Sequence, residues 1–275
     1  MLAFYRYINP DVDLRESIIM IVCGNANVFM YCSPWISSVC SALLVLMIDR
    51  NTVVAAGQPE SVIVMLGDST TAERPGAIER VYATRVEETL AESGLPVKVI
   101  NAGVGGNSTT DGLDRFDKDV LAHHPDLVVI QFGINDSAVD VWRNPPATAP
   151  RVSIETFGVN LRRLIERSHQ AGARVVLMTT NPIRWTPKLK ELYGKLPYHP
   201  ERPDGFDLPL LSRYNAAARR VANEAGVPLV DVHAEFMRGD VDGLLLDGMH
   251  PGDAGHAIVA GLLAPVIRKQ LQIAR

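Results

Sequence analysis

The chain has 275 residues, and 27 lysines and arginines against 31 aspartates and glutamates give a formal net charge of −4. Because the basic residues form no block, the charge pattern does not favour nucleic-acid binding. The three cysteines all lie near the N-terminus, at Cys23, Cys32 and Cys40. This placement excludes a disulfide framework for the rest of the chain and leaves its redox compartment open.

The N-terminal segment, residues 1–57, differs in composition from the rest, because residues 17–48 carry no charge. Residues 35–48 are its most apolar part, which is short for a membrane span but suits the core of a signal peptide. Val54-Ala55-Ala56 offers small residues for cleavage. We therefore predict an export signal or anchor, with any membrane contact through residues 17–48. An exported or anchored protein is favoured over a cytoplasmic one; a misassigned start and a buried appendage are the alternatives.

Over residues 58–275, apolar runs of strand length alternate with helical patterns. The predicted strands are residues 61–66, 96–100, 126–132, 173–179 and 227–231. The predicted helices are residues 77–92, 109–122, 153–170, 210–225 and 253–272. Such alternation is typical of the α/β class, and runs that are nearly continuous in Val, Ile and Leu indicate strands buried on both faces. We predict one domain, a three-layer α/β/α sandwich with a five-stranded parallel sheet.

A serine follows the first of these strands, in Gly67-Asp68-Ser69-Thr70. Ligands of open α/β sheets bind at the carboxyl edge of the strands, where this serine is expected to lie. A serine becomes a nucleophile when a base can reach it. The alternative is an ordinary turn, since Gly, Asp and Ser are common turn residues.

A candidate base lies near the other end of the chain, in Asp247-Gly248-Met249-His250. Asp and His three residues apart can converge on one short turn. Asp247 could then orient the imidazole while His250 takes the proton of Ser69. The alternative is a surface turn, because this spacing is common by chance.

Two further segments after predicted strands offer hydrogen-bond donors, which acyl transfer needs where an oxyanion develops. Residues 103–106 are rich in glycine, which lets a backbone N–H face a ligand without a Cβ in the way. Asn135 offers a side-chain amide. A dinucleotide loop or tight turn is the alternative for the glycines, although Ser108 breaks the Gly-x-Gly-x-x-Gly pattern. A helix cap is the alternative for Asn135.

Taken together, the four segments resemble the blocks of the SGNH hydrolases, also called the GDSL esterase/lipase family. The matching blocks, in the family's order, are Gly67-Asp68-Ser69, Gly106, Gly133-Ile134-Asn135-Asp136 and Asp247-Gly248-Met249-His250, with Thr70 where the name-giving motif has Leu. The resemblance covers residues 58–275 and implies a flavodoxin-like fold and a serine esterase.

The resemblance also implies a role for each matching residue. Ser69, Asp247 and His250 would be catalytic. The backbone N–H groups of Ser69 and Gly106 and the amide of Asn135 would form the oxyanion hole. No metal or organic cofactor would be required.

Several other polar residues compete for a role. Asp68 more often hydrogen-bonds within such a loop than contacts a ligand, and His256 lies inside a helical pattern where packing is the default. Asp231 and His233 are spaced like a metal-binding pair at a strand end. A metal needs three or four ligands, however, and no further cluster accompanies the pair.

Substrate preference is expected in two long loops on the catalytic rim, residues 138–152 and 181–209. Both combine prolines and aromatics with mixed charges. This composition predicts an ordered lid over a short acyl group on a polar scaffold, such as an acetylated carbohydrate. Packing of the aromatics onto the body is the alternative. The candidate substrate contacts are Asp68, Trp142, Trp185 and Tyr198.

Other functions stay open at this point. A lipase, lysophospholipase or thioesterase of the same family is expected to prefer longer acyl chains. A non-catalytic binding module would keep the fold without the chemistry, although four intact blocks disfavour it. Acyl transfer to an alcohol instead of water also fits. The expected partner in each enzymatic case is a small-molecule or carbohydrate ester and not a nucleic acid.

Overall fold

The computed structural model describes residues 3–6, 17–23, 26–32, 60–207 and 210–272. The chain divides into two compact units, Met1–Gln58 and Pro59–Arg275. The signal core predicted at residues 35–48 and the cleavage site predicted at residues 54–56 lie outside the described residues.

Strands make up the described part of the first unit: β1 (Ala3–Arg6), β2 (Ser17–Cys23) and β3 (Ala26–Cys32). They pair antiparallel in the order β1-β2-β3. The sequence analysis predicted no strands here, although Ile, Val, Phe and Tyr in these segments favour extended backbone. Across the described ranges, no helix has the length and apolar character needed to cross a membrane.

The second unit is built on one sheet. Its strands are β4 (Ser61–Gly67), β5 (Val97–Gly103), β6 (Leu127–Gln131), β7 (Arg174–Met178) and β8 (Leu229–Val230). All neighbouring strands run parallel in the order β5-β4-β6-β7-β8. This is the flavodoxin-like order, so the predicted α/β class and five-stranded parallel sheet are confirmed.

Helices connect these strands. They are α1 (Tyr82–Glu92), α2 (Thr109–Asp114), α3 (Phe116–Asp119), α4 (Ile134–Ser137), α5 (Ile154–Gln170), α6 (Pro187–Tyr193), α7 (Leu211–Ala225), α8 (Val232–Phe236), α9 (Val241–Leu244) and α10 (Asp253–Gln272), with a 3₁₀ turn at Leu121–His123.

Two helical regions differ from the prediction. The helix expected over residues 109–122 is broken into α2, α3 and the 3₁₀ turn, because Thr, Asp and Gly are weak helix formers. The loop over residues 181–209 contains α6, which the sequence analysis missed. The Thr186 side chain accepts a hydrogen bond from the Leu189 N–H, and Pro187 occupies the first turn, a common way to begin a helix.

Alternate side chains of the central strands enter two separate cores. Ile63 and Met65 pack in the core that includes α1 and α10, whereas Val64 and Leu66 pack in the core that includes α5 and α7. Each of the four is at most 1% exposed. The sheet therefore lies between two helical layers, as the three-layer prediction requires.

The strand order reverses between β4 and β6, which pair directly with Gly67 opposite Gln131. A crevice forms outside the carboxyl ends of the strands at such a switch point. Ser69 follows β4 and Asn135 follows β6, so the topology brings both segments to this crevice.

Candidate active site

Ser69 lies in a tight turn directly after β4. The Asp68 carbonyl accepts hydrogen bonds from the N–H groups of Thr71 (3.2 Å) and Ala72 (3.1 Å), which reverses the chain at once. Only glycine fits at Gly67, because a Cβ there would lie 2.1 Å from the Thr71 hydroxyl oxygen. The turn therefore holds Ser69 at the end of the buried strand.

Asp68 stabilises this turn from inside. Its side chain is fully buried, and its Oδ1 accepts hydrogen bonds of 2.8 Å from both the N–H and the hydroxyl of Thr70. Burial raises the pKa of the Asp68 carboxyl, and the hydrogen bonds from Thr70 oppose that rise. Its surroundings fit a support of the turn, and we do not retain Asp68 as a substrate contact.

Ser69, His250 and Asp247 form a hydrogen-bonded chain. The Ser69 Oγ lies 3.0 Å from His250 Nε2, and His250 Nδ1 lies 2.8 Å and 3.0 Å from the two carboxylate oxygens of Asp247. Because an ionised carboxylate only accepts hydrogen bonds, Nδ1 carries a proton, and in the neutral imidazole Nε2 is then the acceptor that faces Ser69. This is the arrangement in which a histidine acts as a base towards a serine.

Asp247 is held in its ionised form. Partial burial alone would raise the pKa of this carboxyl, but hydrogen bonds from the His250 ring, the His250 N–H and the Met249 N–H keep it well below its usual range. Asp247 is therefore a negative charge beside the imidazole over the whole pH range of an ordinary assay.

The Asp247–His250 turn is pinned to a distant loop. Gly248 has φ +84°, and a Cβ there would lie 2.6 Å from the Arg184 carbonyl oxygen. The Arg184 N–H donates to the Gly248 carbonyl (2.7 Å), and the Asn181 amide donates to the Met249 carbonyl (2.9 Å). The position of the base therefore depends on the loop over residues 181–209.

The glycine-rich loop approaches Ser69 closely. A Cβ built on Gly105 would lie 3.9 Å from the Ser69 Cβ, and Gly106 has φ +81°. Among the described residues, the N–H groups of Ser69 and Gly106 donate to no acceptor. Ser69 and the loop beside it thus leave two backbone N–H groups without an acceptor among the described residues.

Asn135 completes this side of the crevice. Its Nδ2 donates to the Asn107 carbonyl (3.1 Å) and makes a long contact with Asp68 Oδ2 (3.4 Å). Its Oδ1 accepts a hydrogen bond from Arg151 Nη1 (3.0 Å). The sequence analysis missed Arg151, because an arginine in a long loop has no local pattern that links it to an asparagine.

The aromatic residues of the 181–209 loop pack against one another. Trp185 stacks on Phe206 with ring centroids 4.5 Å apart, and Tyr193 and Tyr198 surround the same ring. Tyr198 is 3% exposed, and its hydroxyl accepts a hydrogen bond from the Val139 N–H (2.8 Å). Burial raises the pKa of Tyr198 to about 12. We call these four residues the aromatic cluster.

A small cavity of about 40 Å³ lies between the aromatic cluster and Asn135. Its lining includes Asn135, Arg151, Tyr193, Tyr198, Phe206 and Met249. Of the candidate substrate contacts, the structure thus brings Tyr198 next to Asn135. Trp185 lies in the aromatic cluster, and Trp142 is 49% exposed beneath the Arg143 guanidinium.

The remaining polar candidates have structural partners. His256 is buried, its Nδ1 accepts from the Tyr82 N–H (3.2 Å), and burial lowers the pKa of its ring to about 4. Asp231 forms a paired contact with Arg219 (2.7 and 2.8 Å), while His233 lies 3.1 Å from Asp207. Residues 60–207 and 210–272 contain no cluster of metal-binding side chains.

A serine, a histidine and a carboxylate linked by hydrogen bonds are the side chains that serine hydrolases use, and here they lie at the switch point of a parallel sheet. The chain belongs to the GDSL-like lipase/acylhydrolase family, whose sequence model matches residues 65–258. It is accordingly a carboxylic ester hydrolase of that family, and the resemblance inferred from the four blocks is confirmed.

The chain is also similar to individual proteins. The chain is 35% identical over 144 residues to the uncharacterized lipoprotein YqeF of Bacillus subtilis, a match that covers 52% of this chain and 57% of that protein. It is 28% identical over 217 residues to an arylesterase of Vibrio mimicus, covering 79% and 93%. The solved structure of an acetylxylan esterase from Geobacillus stearothermophilus is 26% identical, with a TM-score of 0.56 and coverage of 76% and 93%.

Proposed function

We propose that this esterase hydrolyses short-acyl esters, chiefly acetyl esters of carbohydrates or small molecules, through an acyl-enzyme on Ser69. The observation that carries the acyl length is the 40 Å³ cavity beside Asn135. A cavity of this size has room for about three waters, which matches an acetyl or propionyl group.

The first half of the reaction uses the geometry of the triad. His250 Nε2 takes the proton of the Ser69 hydroxyl as Oγ attacks the ester carbonyl carbon, and Asp247 stabilises the imidazolium that forms. The carbonyl oxygen becomes an oxyanion that accepts hydrogen bonds from the N–H groups of Ser69 and Gly106. The Asn135 N–H that makes only the 3.4 Å contact with Asp68 is the third donor.

Collapse of this tetrahedral species breaks the bond to the leaving oxygen. His250 gives its proton to that oxygen, so the alcohol departs and an acyl ester of Ser69 remains. A water molecule then enters, loses a proton to His250 and attacks the acyl carbon. Breakage of the bond to Ser69 Oγ releases the acid and returns the proton to the serine. No step uses a metal or an organic cofactor.

The position of Asn135 supports an acyl site in the neighbouring cavity. We place the alkyl tail of an ester whose carbonyl oxygen faces Asn135 in the cavity that Asn135 lines with Phe206, Tyr198 and Met249. The rings of Tyr198 and Phe206 are buried and in mutual contact, with centroids 5.2 Å apart. A long acyl chain would have to displace them, which costs packing energy. Tyr198 is thus the candidate that we retain as an acyl contact.

The position of His250, which protonates the leaving alcohol in this mechanism, supports an alcohol site beside its ring. A separate cavity of about 360 Å³ lies beside His250 and is lined by Thr186, Lys188, Leu189, Asp247 and Met249. It is larger than the acyl cavity and has polar groups, so it suits a sugar or aryl alcohol. Two relatives of the chain, an arylesterase and an acetylxylan esterase, support both kinds of alcohol. Trp142 and Trp185 are proposed as outer contacts for such a group.

A panel of p-nitrophenyl esters from acetyl to octanoyl tests this proposal, with wild type and Ser69→Ala measured side by side. We expect kcat/KM to be highest for acetyl or propionyl and to fall at least about tenfold by octanoyl, since each lost or displaced methylene contact is worth about 1 kcal/mol or more. Preference for octanoyl would instead support a lipase or thioesterase. Equal activity of Ser69→Ala would overturn the mechanism.

Export is a second part of the proposal. Its support is the uncharged stretch over residues 17–48 and the name of the Bacillus subtilis relative, a lipoprotein. Fractionation of cells that express the full chain tests it. Esterase activity outside the cytoplasm is expected, and activity confined to the cytoplasmic fraction would contradict it.

A further inference from the structure

Arg151 lies between a buried carboxylate and the oxyanion donor. Its Nε and Nη2 donate to Asp140, with Nη2–Oδ1 at 2.8 Å and Nε–Oδ1 at 3.1 Å. Its remaining nitrogen, Nη1, donates to Asn135 Oδ1 at 3.0 Å. One planar guanidinium therefore holds both groups at once, which is a geometry that arginine forms and lysine does not. We call this arrangement the Arg151 fork.

All three hydrogen-bond contacts of the Asn135 side chain favour the same orientation of its amide. The Asn107 carbonyl and the Asp68 carboxylate, both acceptors, face Nδ2, whereas the Arg151 guanidinium, a donor, faces Oδ1. Rotation of the amide by 180° would place its oxygen against two acceptors and its NH₂ group against a cation. Three contacts therefore disfavour the flipped amide, in which the N–H groups would point away from Asp68, the residue that precedes Ser69.

Contacts with Asp140 and with the backbone hold Arg151 in place, so its guanidinium can fix the orientation of Asn135. The Asp140 side chain is 3% exposed, so its charge requires a partner, and it has two: Arg151 and Arg143, whose Nη2 lies 2.7 Å from Asp140 Oδ2. The Arg151 N–H also donates to the Ala138 carbonyl (3.0 Å), which closes the base of the loop that carries Asp140. Arg151 is thus held both by its backbone N–H and by its guanidinium group.

From these contacts we infer that Arg151 is a positioning residue for the oxyanion donor Asn135: it fixes the amide so that an N–H faces the developing negative charge. The inference rests on the proposed acyl-enzyme mechanism. Since the donor matters only once the oxyanion forms, loss of Arg151 lowers kcat and leaves KM nearly unchanged.

Steady-state kinetics of five variants on p-nitrophenyl acetate test the inference. Arg151→Met removes the fork and is expected to lower kcat about ten- to a hundredfold, the scale of a misplaced catalytic group, with KM within about twofold of wild type. Arg143→Met is the matched control, because it removes the same charge from the same carboxylate. Among the described residues Arg143 does not contact Asn135, so its kcat is expected to stay within about twofold.

A double-mutant cycle distinguishes positioning from a general loss of structure. Asn135→Ala should lower kcat about a hundred- to a thousandfold. Adding Arg151→Met to Asn135→Ala is expected to lower kcat by no more than about twofold further, because the side chain that Arg151 positions is already gone. An equal loss in both backgrounds would overturn the inference, and so would an effect of Arg151→Met on KM alone.

Folding failure would not leave the inference untested. Arg151→Lys keeps the charge and the pairing with Asp140, but one ammonium cannot also hold Asn135, so kcat should still fall about tenfold at an unchanged melting temperature. Wild-type kcat in Arg151→Lys would contradict the fork. Failure of the acyl-enzyme mechanism would appear separately, as full activity of Ser69→Ala, whatever the Arg151 variants show.

Discussion

The two sides of the catalytic crevice are built in different ways. On the base side, Asp247 and His250 are three residues apart and meet within one turn. On the oxyanion side, Asn135 takes its orientation from Asn107 and Arg151, which are 28 and 16 residues away. A contact closed by a single turn is visible as a motif, whereas a contact between distant loops appears only when the chain has folded.

The two sides of the crevice also differ in which properties of the enzyme a substitution is expected to change. The base side contains the groups that we propose to move protons, and the Asp247–His250 contact closes within one turn, although that turn is itself held by Asn181 and Arg184. The oxyanion side also contains the aromatic cluster and the acyl cavity, which are held by contacts across the 138–152 and 181–209 loops. Substitutions of Asp247 or His250 should therefore lower turnover for every ester, and so should loss of the oxyanion donor Asn135, while substitutions in the aromatic cluster should change stability and acyl preference.

The largest effect is expected for Asp247→Asn. An asparagine amide can donate to His250 Nδ1, which favours the tautomer with the proton on Nε2 and leaves no base facing Ser69. We predict a fall in kcat of about ten-thousandfold, equal for acetyl and propionyl esters. Steady-state kinetics with both esters measure this, and Asp242→Asn, at an exposed position in α9, is the control. A loss below about tenfold would mean that Asp247 does not orient the base.

Phe206→Ala is expected to act on the oxyanion side of the crevice, where the aromatic cluster lies. Phe206 is 2% exposed, lies in the aromatic cluster and lines the acyl cavity. Its truncation should lower the free energy of unfolding by about 3–5 kcal/mol and shift the preferred ester towards butanoyl or hexanoyl. Urea unfolding and the ester panel give the two quantities.

Phe157→Ala is the matched control, because Phe157 is equally buried but packs in the core with Tyr214. A similar loss of stability with unchanged acyl preference is expected there. If both variants shifted the preference equally, the cavity beside Asn135 would not be the acyl site.

A smaller, pH-dependent effect is expected at Asp136, next to Asn135. Its carboxyl is fully buried and accepts from the Thr109 N–H (2.9 Å), and its Oδ2 has no hydrogen-bond partner among the described residues. Burial raises the pKa of Asp136 to about 7, above the value of about 3.9 in an unfolded chain. The folded state therefore binds the extra proton between these pH values, and stability falls as pH rises towards and through 7.

Thermal melts from pH 5 to pH 8 test whether stability falls as pH rises. The wild-type melting temperature should fall relative to that of Asp136→Asn by several degrees as pH rises. His256, with its pKa lowered to about 4, acts in the opposite sense below about pH 6.5 but is present in both proteins and cancels in the comparison. Parallel curves would show that Asp136 is ionised in the fold.

The sequence was informative where one local pattern determines the structure. Apolar runs with both faces buried predicted the five-stranded sheet, and the serine, glycine, asparagine and histidine blocks predicted which loops meet at its rim. The sequence was less informative about the long loops, residues 138–152 and 181–209. Helix α6 begins at a Thr186-Pro187 cap that is visible in the sequence, but the proline-rich surroundings favoured an irregular loop.

Long-range partners had no such signal. The sequence does not show that Arg151 contacts Asp140 and Asn135, or that the Tyr198 hydroxyl accepts a hydrogen bond from the Val139 N–H. Strands β2 and β3 were missed for another reason: uncharged apolar residues near an N-terminus suit an export segment as well as a sheet.

The central claim is that Ser69 is the nucleophile, and covalent labelling tests it most directly. The protein is treated with a fluorophosphonate until esterase activity is lost, and peptide mass spectrometry then locates the adduct, with Ser69→Ala as the control. One adduct on Ser69, formed in proportion to the loss of activity and absent from Ser69→Ala, is the predicted result. Loss of activity with the adduct on another residue, or full activity in a protein labelled at Ser69, would contradict the claim.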